Sequence, residues 1–548
     1  MDPFLQDPPQ RSNRFRTDRA LHRNIERLLD PDVFTEVAPL LDEMGEAATD
    51  LLPDLQEQAE ANPPRHVAYD AWGRRTDEIV VDPAWKRLVE IGMEAGLVAI
   101  PYEDGFGASG RVVQFALEHL FMAVSATADC PMAMTDAAAR VLINEDEELR
   151  DRYVPKLTAR TNYITSGQWM TEKEGGSDVG RTGTVAAPLG DGTWLLTGTK
   201  WFTSATTADI ALALARPQGA EQSSRGLSLF LVELKSEHGW NGITVRRLKD
   251  KLGTKALPTA ELDLKDTVAV PVGGIGRGVA KVAPMLNITR VHSAFGANSA
   301  VGQAISLSRD YAKRREAFGR KLADLPLHVV WMASIAAEYE ASLSLCFRAA
   351  ELLGSIENGG SDDLLARVVF PLTKLAAARQ GVWACSQLLE SFGGAGYLED
   401  SGLPRLLRDA HVQCIWEGTT SVLALDVLRA LGKQGAGETF LDDVTANARA
   451  YDHPSLVEPR RAVLDAVGEL ETLMMEPSEP EARRLAWGMA RTYEASLLCR
   501  GAGWALDKHG DPSTATAARV FTARPLITRP LDVPLEKLAD LSFGTSTG

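Results

Sequence analysis

The sequence predicts an α+β chain, with an N-terminal α-helical domain, a middle β-barrel, a C-terminal four-helix bundle and an extra helical domain after it. Two switches of hydrophobic period and one run of small residues carry that expectation. Up to about residue 160 the apolar spacing is helical, as in Trp85, Leu88, Val89, Ile91 and Gly92, before the turn-rich Pro101-Tyr102-Glu103-Asp104-Gly105. From 161 to 282 it changes to short β-rich runs, the texture of a small antiparallel barrel or sandwich. After that the helical period returns, and near its start small residues crowd together: Ser293, Ala294, Gly296, Ala297, Ser299, Ala300 and Gly302. Such a stripe lets backbones approach closely.

Each domain has its own signals. In 1–160 the first thirty residues carry Arg11, Arg14, Arg16, Arg19 and Arg23, interrupted by Asp2, Asp7 and Asp18, with no apolar stretch of the targeting-peptide kind. They are expected to form a flexible arm. In 161–282 the β-rich runs are Trp194–Thr197, Trp201–Thr203, Ile210–Leu214, Leu227–Leu234 and Ala260–Leu264. The glycines from Gly273 to Gly278 are expected to turn the chain out of the barrel. They do not suit a dinucleotide loop, since Val279 occupies the sixth position of G-x-G-x-x-G and no βαβ pattern surrounds it. In 283–435 helical segments near 283–316, 327–356, 362–392 and 418–432 suit a four-helix bundle. The Lys433-Gln434-Gly435-Ala436-Gly437 break sets off the extra helical domain, 436–548.

Bulk properties exclude several classes. Of 548 residues 45% are apolar and 24% charged, and no uninterrupted apolar stretch approaches the roughly 18 residues of a membrane-spanning helix. A formal charge of −16 argues against a general nucleic-acid binder, whose affinity comes largely from cations on phosphates. Five scattered cysteines without Cys-x-x-Cys spacing point to a reducing, cytoplasmic compartment, with neither a disulfide framework nor a zinc motif. No His-x-x-x-His pair with a Glu occurs, so no metal is expected.

Two strings carry the chemistry. Glu417, in Ile415-Trp416-Glu417-Gly418-Thr419-Thr420, is a carboxylate between an apolar run and a helix start, and so a candidate desolvated general base. Alone it reads as a solvated turn residue. Met170-Thr171-Glu172-Lys173-Glu174-Gly175-Gly176-Ser177-Asp178 adds the hydroxyl and backbone donors that a flavin requires. A base on one face of a substrate and a flavin on the other suit removal of two hydrogens from adjacent carbons.

In order, spacing and context, residues 60 to 432 resemble the acyl-CoA dehydrogenase family. The resemblance implies FAD as cofactor, an acyl-CoA thioester as substrate, Glu417 as base and an electron-transfer flavoprotein as redox partner. It also implies residue roles. Met170 and Thr171 would contact the flavin, and Ser177 would lie between flavin and acyl-CoA. Trp201 and Thr203, in Lys200-Trp201-Phe202-Thr203-Ser204, would pack on and hydrogen-bond the ring. Arg315 and Phe318, in Arg-x-x-Phe-Gly, would reach the FAD pyrophosphate of a neighbouring subunit. Gly393 and Gly394, in Phe392-Gly393-Gly394-Ala395-Gly396-Tyr397, would admit the cofactor, with Thr419 beside it. Arg290 and Gly418 would face the substrate.

Within the family the sequence most resembles the AidB-like branch, through Asn62-Pro63-Pro64, Tyr69–Arg75, Asp82-Pro83-Ala84-Trp85, Leu248–Gly253, Ser391–Tyr397 and the extra C-terminal helices. That branch implies a homotetramer and offers an alternative function, a DNA-binding or regulatory flavoprotein of the alkylation response. Charge disfavours the alternative, because residues 441–548 carry a net charge of −4. Trp169 and Arg181 replace small residues at the edges of the flavin signature, Ser421 stands where many relatives have Gln, and Pro326 replaces a frequent Gln.

Overall fold

The computed structural model describes residues 7–237 and 239–544. A helical layer, a β-barrel and a helical bundle follow one another along the chain. One continuous apolar core runs from Phe15 to Ile527 through both helical layers, and the barrel interior forms a second core. None of the described helices is long and apolar enough to cross a membrane.

The expected arm is helical and packed from Arg14 onward. Short helices span Arg14–Thr17 and Arg19–Leu28, with Asn13 and Asp18 as N-caps. Leu21 and Ile25 are wholly buried. Arg14, which the charge pattern placed in solvent, is buried, its Nη2 2.6 Å from His119 Nε2 and its Nη1 donating to the carbonyl of Ser299. The interruption by Asp2, Asp7 and Asp18 concealed an amphipathic helix. Residues 1–6 lie outside the described region.

Helix α1, Gly110–Glu145, is the pillar of the N-terminal layer. It kinks at Ser125, whose φ of −150° is not helical. Six residues on, Pro131 has no N–H to offer the carbonyl of Thr127. The Trp85 indole donates to that carbonyl at 3.2 Å instead. The N-terminal layer also holds a hairpin, Arg65–Tyr69 and Arg75–Val80, which the helical spacing did not reveal. Asp70 shapes its tip by accepting from the backbone N–H of Trp72 and Arg74, and Arg75 and Asp77 dock it on Val245 of the barrel.

The barrel strands are β1 (Ser166–Trp169), β2 (Val185–Pro188), β3 (Trp194–Ser204), β4 (Ile210–Pro217), β5 (Ser228–Glu233), β6 (Ile243–Leu248) and β7 (Thr259–Pro271). Pairings β3–β2, β2–β4, β4–β5, β5–β7 and β7–β3 close a ring, with β6 added on β7 and β1 on β4. It is not purely antiparallel, as the turn-rich texture suggested. Both β1 and β2 run parallel to β4, end to end along one edge, opposite Ile210–Ala213 and Arg216–Pro217 respectively. The chain between them, Met170–Thr184, therefore leaves the sheet and returns to it. Strand β4 is buried on both faces: Ala211, Ala213 and Ala215 fill the barrel, while Ile210, Leu212 and Leu214 join the helical core. This explains why it reads as a continuous apolar run.

The bundle contains α2 (Gly278–Arg314), α3 (Pro326–Glu357), α4 (Asp363–Glu390), α5 (Leu403–Gln413) and α6 (Thr420–Leu431), one more than the four expected because the short α5 was not read. The small-residue stripe lies on α2, which packs between α1 and α4. A Cβ on Gly296 would come within 2.6 Å of Met122 Cε on α1. Farther on, the long helix α7 (Ala482–His509) packs across α3 and α4. Arg491 of α7 pairs with buried Glu338, and Gln380 bridges Glu338 and Glu494 at 3.0 and 3.1 Å. The helices after residue 435 thus share the bundle's core.

Candidate functional site

Glu417 lies in the turn between α5 and α6, in the left-handed conformation with φ of 55°. A non-glycine residue there is unusual. Two cations hold the turn from below. Lys374 of α4, wholly buried, donates to the carbonyl of Gly418 at 2.6 Å, and Arg290 of α2 lies 3.5 Å from the carbonyl of Glu417. Gly418, at φ of 105°, completes the reversal in a conformation that other residues avoid.

The carboxylate turns inward. Its Oε2 accepts from Thr289 Oγ1 at 2.7 Å. Burial raises its pKa above the usual glutamate value, while the Thr289 hydroxyl, Arg290, Lys374 and Gln168 pull the other way. Desolvation wins although the residue as a whole is half-buried, and a raised pKa is the direction that suits a general base. Lys374 responds in the opposite sense, since burial pushes it down to about 8 although the charge on Glu417 opposes the fall. Arg290 does not reach the Glu417 carboxylate. Its Nη1 is 2.9 Å from Asp426, which Arg367 also holds at 2.5 Å.

Gln168 of β1 reaches the Glu417 carboxylate, and β1 runs directly into the Met170–Thr184 excursion, which is tied to the end of β3. Met170 is buried, Thr171 half-buried and Ser177 exposed. The Thr171 carbonyl accepts from the Trp201 N–H at 3.0 Å, and its hydroxyl makes no hydrogen bond among the described residues. Lys249 Nζ lies 3.5 Å from the Trp201 ring centroid. Thr203 is wholly buried and its hydroxyl donates to the carbonyl of Ala260 at 2.9 Å, so its proton is committed to the barrel backbone. Trp169 also points into the barrel.

The pin that holds the excursion was not read from the sequence, although both its residues stand in the quoted motifs. Lys200 Nζ donates to Glu172 Oε1 at 2.6 Å and to the carbonyl of Leu214 at 2.7 Å. Glu172 also accepts from Thr184 Oγ1 and the Gly183 N–H. Thr289, Gln168 and Lys374 were missed as well. They come from three separate elements, and no local spacing links them to Glu417.

The remaining expected residues gather elsewhere. Arg315 caps the C-terminus of α2, and Phe318 is 96% exposed on the hairpin that follows. Gly393 and Gly394 are exposed just beyond α4, next to Phe392, which stacks on Tyr311 of α2 at 4.4 Å. At the helical rise of 1.5 Å per residue, Arg315 is roughly 37 Å along α2 from Arg290. One chain therefore does not bring Arg315, Phe318, Gly393 and Gly394 to Glu417. Thr419 is exposed beside Gly418 as the N-cap of α6.

Three family models match the chain: "Adaptive response protein AidB N-terminal domain" over residues 6–163, "Acyl-CoA dehydrogenase, middle domain" over 167–267 and "Acyl-CoA dehydrogenase, C-terminal domain" over 276–432. The chain is 40% identical to acyl-CoA dehydrogenase family member 11 of Caenorhabditis elegans, over 95% of this chain and 88% of the relative. The crystal structure of Caenorhabditis elegans ACDH-11 in complex with C11-CoA superposes with a TM-score of 0.95 at 38% identity, covering 100% of this chain and 98% of that one. AidB of Escherichia coli K12 is 32% identical over 85% of this chain and 84% of its own length. An acyl-CoA dehydrogenase from Bacillus anthracis, solved with FAD, shares the fold with a TM-score of 0.72 at 19% identity, over 92% of this chain and 88% of that one.

Proposed function

Because the chain belongs to the acyl-CoA dehydrogenase family, an oxidoreductase family, we propose that it oxidises an acyl-CoA thioester to the α,β-unsaturated thioester, with Glu417 as base. The inward-facing, desolvated Glu417 carboxylate held by Thr289 carries this reading. The Caenorhabditis elegans relative solved with C11-CoA supports the substrate class.

FAD suits the residues that follow Gln168 of β1 beside Glu417. The uncommitted Thr171 hydroxyl and the Trp201 ring would hold its isoalloxazine, with Met170 and Ser177 at the edges. Thr203 would donate to the ring only by giving up its bond to Ala260, but its oxygen can accept while that bond stays. When bound, FAD supplies the acceptor for the hydride that leaves the β carbon. The chain's own residues handle the proton. Glu417 takes it from the α carbon, and Thr289 keeps Oε2 aimed into the site. Lys374 and Arg290 stop the strained turn from relaxing outward. Gly418 and Arg290 would border the acyl group.

The Arg315 end of the bundle would complete FAD binding in a second copy of the chain, through Phe318, Gly393 and Gly394, with Thr419 at the near side of the cofactor. A homotetramer accommodates this arrangement. Electrons would leave to an electron-transfer flavoprotein, in a cytoplasmic setting. Mixing the flavin-loaded protein anaerobically with a panel of acyl-CoAs tests the proposal. At least one thioester should bleach the visible flavin absorbance, and Glu417→Gln should abolish bleaching while FAD stays bound. Failure of every thioester to reduce the flavin would overturn it.

A further inference from the structure

We propose that Glu118, Asp129 and His292 form a binding site for one divalent transition-metal ion, separate from the Glu417 pocket. Glu118 and Asp129 come from the two halves of α1 and His292 from α2. Their ligand atoms all lie within 4.8 Å of one another. His292 Nδ1 is 3.0 Å from Glu118 Oε2 and 3.5 Å from Asp129 Oδ1. Bonds of about 2.0–2.2 Å from a metal to nitrogen and oxygen set neighbouring donors roughly 2.9–3.5 Å apart, so these spacings match edges of a coordination shell.

Three further observations point to a cation. Glu118, wholly buried, has both carboxylate oxygens without a hydrogen-bond partner among the described residues, and so do Asp129 Oδ1 and His292 Nδ1. Glu118 Oε2 and Asp129 Oδ1 share His292 Nδ1 as a neighbour, Glu118 Oε1 has none among the described residues, and buried carboxylate oxygens so sparsely served are costly unless something compensates them.

The imidazole is also set up as a ligand. Asp136 Oδ2 lies 3.2 Å from His292 Nε2 and is itself fixed by Arg111, Gln114 and Tyr102. A carboxylate on one ring nitrogen leaves the other with its lone pair directed at a metal, the usual support for a metal-bound histidine.

Finally, the kink has a use. Residues eleven apart on a straight helix have Cα atoms roughly 16 Å apart along the axis, too far for Glu118 and Asp129 to share one imidazole nitrogen. The break at Ser125 lies between them and folds the two halves of α1 around His292. One imidazole with two carboxylates suits Zn²⁺ or Mn²⁺. No local spacing motif announces such a site, which explains why none was expected from the sequence.

The test uses the flavin-loaded protein, stripped with chelator, desalted and then incubated with ZnCl₂ or MnCl₂ alone. Metal retained after gel filtration is counted by mass spectrometry, and Tm is recorded with and without metal. The expected result is one equivalent of at least one ion per chain with a rise in Tm, both lost in Glu118→Gln and in Asp129→Asn. Metal-free Glu118→Gln should melt no lower than metal-free wild type, whereas loss of a stabilising His292–Glu118 ion pair would lower it. The proposal is overturned if wild type retains neither ion, or if both variants retain it at wild-type stoichiometry. A metal-free Glu118→Gln protein that melts well below metal-free wild type also overturns it.

Discussion

At the scale of single residues, the balance at Glu417 predicts a pH profile. Proton abstraction needs the carboxylate, and burial raises the pKa of Glu417. The rate of flavin reduction by an acyl-CoA should therefore climb with pH through a midpoint above the ordinary glutamate range, and fade as pH drops below it. Thr289 stabilises the charged form through its 2.7 Å hydrogen bond. Thr289→Val should move the midpoint to higher pH and lower the rate near neutrality, measured by anaerobic stopped-flow absorbance across pH. An unmoved midpoint would show that the hydroxyl does not tune the base. Glu417 itself was legible because its apolar-then-Gly-Thr context is peculiar and a second motif supported it. Lys374 was not, because a lysine inside an apolar helix looks like any surface lysine until the turn above it is placed.

Among elements, the excursion between β1 and β2 is anchored by one ion pair. Lys200 and Glu172 are both almost fully buried, 0% and 2% exposed at the side chain. Removing one partner leaves the other as an uncompensated buried charge, so Lys200→Met should cost about 3–5 kcal/mol in denaturant unfolding, while the double variant Lys200→Met/Glu172→Gln should cost less. The pair's value is then positional: in the double variant, FAD retention should fall more than stability does, measured as the ratio of flavin to protein absorbance. The strands most visible in the sequence were long or apolar, such as β3, β4 and β7. The four-residue β1 and β2 were not visible, since each is too short to display a period and their pairing with β4 is nonlocal. The N-terminal hairpin escaped for a related reason: its burial pattern is mostly exposed, leaving little alternation to detect.

Over the whole molecule, the sequence conveyed the three-layer order through two changes of period, which survive any uncertainty in single residues. It did not convey that helices after residue 435 would pack into the bundle's core, because contacts such as Arg491 with Glu338 join positions 153 residues apart. It also hid the distance between Glu417 and Arg315. If a second copy supplies the Arg315 end of the FAD site, Arg315→Gln should lower FAD content while the unfolding midpoint of flavin-free protein stays unchanged, since Arg315 is exposed. Equal FAD content in the variant and wild type would place the pyrophosphate elsewhere.

Helix α2 carries Thr289 and Arg290 near one end and Arg315 just past the other. It works as a ruler. Its span would set the separation of active centres in any assembly that shares cofactors across copies, and a rigid rod cannot stretch to forgive an error. An insertion of two turns would displace one half of the cradle by about 11 Å, farther than side chains can reach to repair. The length of this rod is thus a functional dimension, held as tightly as the chemistry at either tip.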